Sequence, residues 1–296
     1  MTQAPPPAPP IYRPLAAALW MTGSIASFTG MAVAGREVAG IHDTFEIMTI
    51  RSAIGLVLVL AGGAALGQLG RISGARLGGH LIRNLFHFTG QNLWFYALGV
   101  LPLAHVVALE FTSPLWVVML APWLLGEKLT RLRVLAVALG FVGILIVARP
   151  QIDQIDLGVL AAAGSAMFFA LTNLMTKALT RDIALITILF WLTAMQLVLG
   201  LATALADGHM TLPTAQTLPW LALIGLCGVV AHLCLTSALS LAPASFIVPI
   251  DFVRLPLIAA VGALFYAEAL EPAIYLGGGV ILAAILLNLK AGGRPV

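Results

Sequence analysis

Gly126-Glu127-Lys128-Leu129-Thr130-Arg131-Leu132-Arg133 and Ala267-Glu268-Ala269-Leu270-Glu271-Pro272-Ala273-Ile274 are one segment of a duplicated unit, met twice, 141 positions apart. The first copy carries Lys128, Arg131 and Arg133, and the second has lost every basic residue. Short loops rich in Lys and Arg stay on the cytoplasmic side of a membrane, and loops on the other side lack them. The same loop therefore belongs on opposite faces in the two copies. That requires an odd number of spans in each copy, so the second is inserted upside down. Inverted repeats of this kind enclose the pathway of secondary transporters.

The shift of 141 holds along the whole chain: Gly23-Ser24 falls on Gly164-Ser165, Ala97-Leu98 on Ala238-Leu239, Pro102 on Pro243, Glu110 on Asp251 and Glu127 on Glu268. Composition agrees with burial in lipid. Of 296 residues, 60% are apolar and only 9% charged, with a mean hydropathy of +1.03; a soluble domain is nearer a quarter charged. The formal charge of +3 and pI near 9.1 reflect loop residues that set topology, so no nucleic-acid partner is implied.

About 20 apolar residues cross the hydrocarbon core. That ruler predicts ten spans, near 14–35, 44–67, 79–100, 103–124, 131–149, 157–178, 183–206, 216–239, 243–266 and 272–290. With the N-terminus inside, inner loops and tails hold eleven basic residues, among them Arg83, while outer loops hold only Arg36 and Arg149. Both termini are thus expected in the cytoplasm of a bacterial cell, with the chain multi-pass in its inner membrane. The expected organisation is a disordered cytoplasmic tail (1–13), a first five-helix repeat (14–149), a periplasmic linker (150–156), a second, inverted five-helix repeat (157–290) and a cytoplasmic tail (291–296). Met1 to Pro10 lacks the basic start and cleavage site of a signal peptide. Cys227 and Cys234, about 10 Å apart along one helix, read as buried thiols rather than a bridge. No metal-ligand spacing and no cofactor motif is present.

On the third span, His80, Asn84, His87, Gln91 and Trp94 recur at intervals of four, three, four and three. Such a polar stripe must face other helices or water. His87 would lie about 10 Å inside the cytoplasmic surface and Gln91 near the midplane. The repeat offset places His232 opposite Gln91, as a central substrate site requires. Interhelical glue explains any one of these side chains alone; the stripe with its symmetry partner reads as a cavity wall. Trp94 shares that face and is the candidate for stacking on a substrate ring or cation. Trp20, Trp191 and Asn173 are further substrate-binding candidates.

Four charges are candidates for intramembrane pairs: Arg51, Glu110, Asp251 and Arg254. Arg254 stands within i,i+3 reach of Asp251, and the equal depths of Arg51 and Glu110 predict a second pair. The structural reading is that these pairs lock helices together. The sharper one is that a carboxylate carries protons or meets a substrate ammonium, and an arginine for each acid argues against it. Glu127 and Glu268 close the fourth span of each repeat and read as loop braces. Pro114, Pro249 and Pro256 interrupt the fourth and ninth spans and are candidate hinges, or fixed kinks.

Ser113-Pro114, Gly126-Glu127, Gly140 with Gly143, and Arg51 together resemble the drug/metabolite transporter superfamily, in its EamA-type ten-helix branch. The second half departs somewhat, since Pro256 lies twelve residues before Glu268 whereas Pro114 lies thirteen before Glu127. Within that branch the chain is most similar to YddG-type exporters of aromatic and other amino acids. The resemblance implies an all-α polytopic protein that exports small metabolites by alternating access, with no cofactor. A monomer suffices for such a carrier, and its partners are a small-molecule substrate and membrane lipid. The alternatives are export of another metabolite or drug class, an intramembrane enzyme, or a channel. A phosphate-binding Gly-rich loop is absent, as are the G-x-S-x-G and H-E-x-x-H patterns, which leaves gradients as the energy source and no enzyme.

Overall fold

The computed structural model describes residues 13–125, 131–148, 156–179, 182–206, 208–241 and 250–292. Residues 1–12 of the expected 1–13 tail, residues 150–155 of the expected 150–156 linker, Glu127 and Pro249 lie outside them. The apolar runs become helices because lipid leaves the backbone no other way to satisfy itself. They are α1 (Pro14–Val38), α2 (Thr44–Ala65), α3 (Leu77–Val100), α4 (Leu103–Glu110), α5 (Ser113–Leu125), α6 (Arg131–Ala148), α7 (Leu157–Leu179), α8 (Leu185–Ala204), α9 (Leu218–Leu241), α10 (Arg254–Tyr266) and α11 (Pro272–Gly292). With α4 and α5 as two halves of one span, these helices form ten transmembrane spans in two inverted repeats of five.

Local chemistry sets several helix starts. Asp43 caps α2, its Oδ1 accepting the N–H groups of Phe45 and Glu46 at 2.8 Å each, while Glu46 Oε2 accepts the Asp43 N–H at 3.1 Å. This reciprocal pattern is a capping box, which satisfies donors that the first turn leaves open.

The fourth span was expected unbroken over 103–124, with a bend at Pro114. It stops instead at Glu110, turns through Phe111-Thr112, and restarts at Ser113. The ninth span makes the same turn at Phe252-Val253, one repeat later. Pro114 and Pro256 then fall in the first turn of α5 and α10. There a missing N–H costs nothing, since no intrahelical partner exists for it. Neither proline sits mid-helix; the break in each span is the turn just upstream.

The heaviest packing runs between the repeats. Helix α1 lies along α9, α3 along α7, α2 along α8 and α6 along α11. Each of these contacts is carried onto another, or onto itself, by the shift of 141. Gly23 of α1 meets Cys234 of α9, and its counterpart Gly164 of α7 meets Leu93 of α3, which is the counterpart of Cys234. Both cysteines are buried, free thiols facing glycine gaps in α1. At the α6–α11 seam a Cβ on Gly143 would lie 2.9 Å from the Gly277 carbonyl, and one on Gly277 would lie 2.8 Å from that of Gly143. Backbones in such contact hold by dispersion, as small residues allow in lipid. The repeats are therefore interleaved and are not separately packed bodies.

Candidate functional site

Phe111 and Phe252 occupy the two helix breaks and stack on one another, ring centroids 4.3 Å apart at 19°. They are repeat counterparts, so the pseudo-two-fold axis passes between them. The residues just before them, Glu110 and Asp251, are counterparts as well. Both reach Arg254: Nη2 lies 2.9 Å from Glu110 Oε1 and 3.1 Å from Asp251 Oδ2, and Nη1 lies 3.3 Å from Glu110 Oε2. The guanidinium also sits 5.1 Å from the centre of the Phe28 ring and 5.0 Å from that of Phe111. Glu110 ends α4, and Arg254 begins α10, so each charge stands at the helix end that disfavours it. Their bidentate pairing offsets both penalties.

The predicted Arg51–Glu110 pair does not form. Glu110 takes its second partner from Trp94, whose Nε1 donates to Oε2 at 2.9 Å. Arg51 instead reaches Gln196 Oε1 at 3.3 Å and Met48 Sδ at 3.9 Å. An equal depth expected from the sequence said nothing about which way around the bundle each side chain pointed. One arginine serves two carboxylates here, so the charge balance that argued against proton coupling does not hold.

All five stripe residues of α3 are buried, as a stripe turned toward other helices must be. His87 joins His232 through their Nε2 atoms at 3.3 Å, and Gln196 Nε2 meets His87 Nδ1 at 2.8 Å. Arginine can only donate, which fixes the direction of the whole chain. Gln196 Oε1 accepts from Arg51, its amide donates to His87 Nδ1, and neutral His87 donates from Nε2 to His232. Four rings also line up across four helices: Phe28 to His232 at 6.1 Å, His232 to His87 at 5.3 Å, and His87 to Phe169 at 6.1 Å. The outer two, Phe28 and Phe169, are repeat counterparts.

The hydrogen-bond partner of His232 on α3 is His87, one turn from its symmetry counterpart Gln91. Gln91 Oε1 is buried without a hydrogen-bond partner among the described residues. Trp94 is 1% exposed and committed to Glu110, which removes it as an open stacking surface in this conformation. Trp20 is 40% exposed on α1, and Asn173 is exposed on α7. Trp191 donates from Nε1 to the Ser73 carbonyl at 2.8 Å, bracing the α2–α3 connection. Arg83, counted among the loop charges, is only 3% exposed inside α3, donating to Thr176 Oγ1 at 3.0 Å and Asn84 Oδ1 at 3.3 Å. The sequence reading passed over Phe28, Phe111, Phe252 and Gln196, and took Phe169 only as one aromatic among several that could form the walls. The shift of 141 pairs four of these aromatics, and Gln196 is a lone amide in a very apolar helix. Glu268 acts as a brace, accepting the Leu103 N–H at 2.9 Å and pairing with Arg36 at 3.2 Å.

The model of the EamA-like transporter family matches residues 15–149 and again 156–290. The chain is 30% identical to a riboflavin transporter of Vibrio cholerae over 93% of both proteins. It is 34% identical to a riboflavin transporter of Rhizobium johnstonii over 71% of this chain and 70% of that one. With an S-adenosylmethionine uptake transporter of Rickettsia bellii it shares 25% identity over 89% of each. A solved crystal structure of a protein 18% identical, covering 93% of this chain and 96% of the other, has the same fold at a TM-score of 0.66. These relatives carry riboflavin and S-adenosylmethionine in their names, so the amino acid export implied by the YddG-type likeness finds no support.

Proposed function

This chain belongs to the EamA-like transporter family, and from that premise we propose that it carries riboflavin across the bacterial inner membrane. The observation that carries the reading is 30% identity with a riboflavin transporter along 93% of both chains. The chemistry of the core supports it. Riboflavin is a flat, uncharged heteroaromatic ring system with a hydroxylated side chain. The ring row of Phe28, His232, His87 and Phe169 offers faces for it. Gln91 Oε1 and Asp251 Oδ1, both buried and unpartnered among the described residues, offer acceptors. S-adenosylmethionine is the less suitable cargo. The named S-adenosylmethionine transporter is 25% identical over 89% of each chain, against 30% over 93% of both for the riboflavin transporter.

Carriage proceeds by alternating access about the Phe111–Phe252 contact, with the termini on the cytoplasmic side. The turns at 111–112 and 252–253 absorb the motion. Saturable uptake of labelled riboflavin into liposomes holding the purified protein is the test, with S-adenosylmethionine and an amino acid panel alongside. Counterflow of riboflavin, weakened at least tenfold by Phe28→Ala with Phe169→Ala, is expected. Transport of amino acids with none of riboflavin would overturn the reading.

A further inference from the structure

Arg51 is 5% exposed, and its Nε has no hydrogen-bond partner among the described residues. Beside it Ser52, 2% exposed, has an unpartnered hydroxyl. Both line a narrow cavity between α2, α8 and α9, together with Gln196, Thr193 and Gly228. Glycine at 228 is what admits the arginine: a Cβ there would stand 2.9 Å from both Nε and Nη2 of Arg51. Arg83, the second buried arginine of this half, finds only a hydroxyl and an amide oxygen. Among the described residues neither arginine pairs with a carboxylate, whereas Arg254 takes two.

A buried guanidinium without a countercharge is costly in a membrane and marks a functional site. We infer that the cavity at Arg51, Ser52 and Gln196 binds a monovalent anion. Unpartnered guanidinium and hydroxyl donors on two residues that line one small, mostly apolar space suit a halide or one carboxylate group, and the guanidinium repels cations. The anion comes either from solution, as an inorganic ion, or as the acidic group of a transported molecule. Its binding does not depend on the riboflavin reading, because riboflavin brings no charge of its own.

Thermal unfolding of the purified, detergent-solubilised full chain tests this, at constant ionic strength, in sodium gluconate, chloride, bromide or acetate. A saturable rise in Tm of several degrees with chloride and bromide identifies an inorganic ion. A rise with acetate alone identifies the carboxylate of a cargo. Either rise must vanish in Arg51→Gln. Should that variant fail to fold, Ser52→Ala and Gly228→Ala must each weaken the apparent anion affinity by at least fivefold. Equal Tm in all four salts, or a rise that persists unchanged in the variants that fold, overturns the inference.

Discussion

Arg254 and Arg51 are both buried arginines in the spans of one bundle, and they are satisfied in opposite ways. Arg254 is held by two carboxylates and two aromatic faces. Arg51 has an amide oxygen at 3.3 Å and a thioether at 3.9 Å. The contrast separates a cation that fastens helices from one left open. In the first, the acids are repeat counterparts while their shared arginine has no twin, since Ser113 stands at its symmetric position. The central lock is thus asymmetric in a frame that is otherwise duplicated, and the spare cation lies one helix pair away.

The contrast breaks most severely at Arg254. Arg254→Met leaves two half-buried carboxylates without their shared cation and should cost about 3 kcal/mol of stability, the low end for losing one partner of a buried pair. Thermal unfolding in detergent reads the loss. Adding Glu110→Gln and Asp251→Asn should restore most of it, and a triple variant as unstable as the single one would refute the lock. On the open side, Gln196→Ala removes the link from Arg51 to His87 and should cost about 1–3 kcal/mol, the desolvation of groups left unpaired. Gln196→Glu sharpens the comparison further. It gives Arg51 the carboxylate that Arg254 already has, and should raise Tm while riboflavin transport falls. Trp191→Phe, which deletes one hydrogen bond to the Ser73 carbonyl, should cost about 0.5–1.5 kcal/mol and leave the KM for riboflavin unchanged; a raised KM would return Trp191 to the substrate path.

Spans and inversion were legible because hydropathy and loop charge act along one dimension, which a sequence displays directly. The break at Phe111-Thr112 was not, since neither residue forbids a helix. The available signal was Ser113-Pro114, read as a kink inside a helix when it marks the start of one. Depth counted along the sequence misled: it paired Arg51 with Glu110, and each takes other partners. Symmetry named Gln91 and His232 as a pair, yet contact goes to His87, because an axis relates positions without requiring that they touch. Arg83 was assigned to a loop because charge near a span end is usually outside it; Thr176 and Asn84 make burial tolerable there.

The seam where Gly143 and Gly277 bring α6 and α11 backbone to backbone leaves no side-chain layer that could slide. The alternating access proposed above takes that joint as its pivot, with the core opening to one compartment and then the other by movement of the helices around the α6–α11 pair.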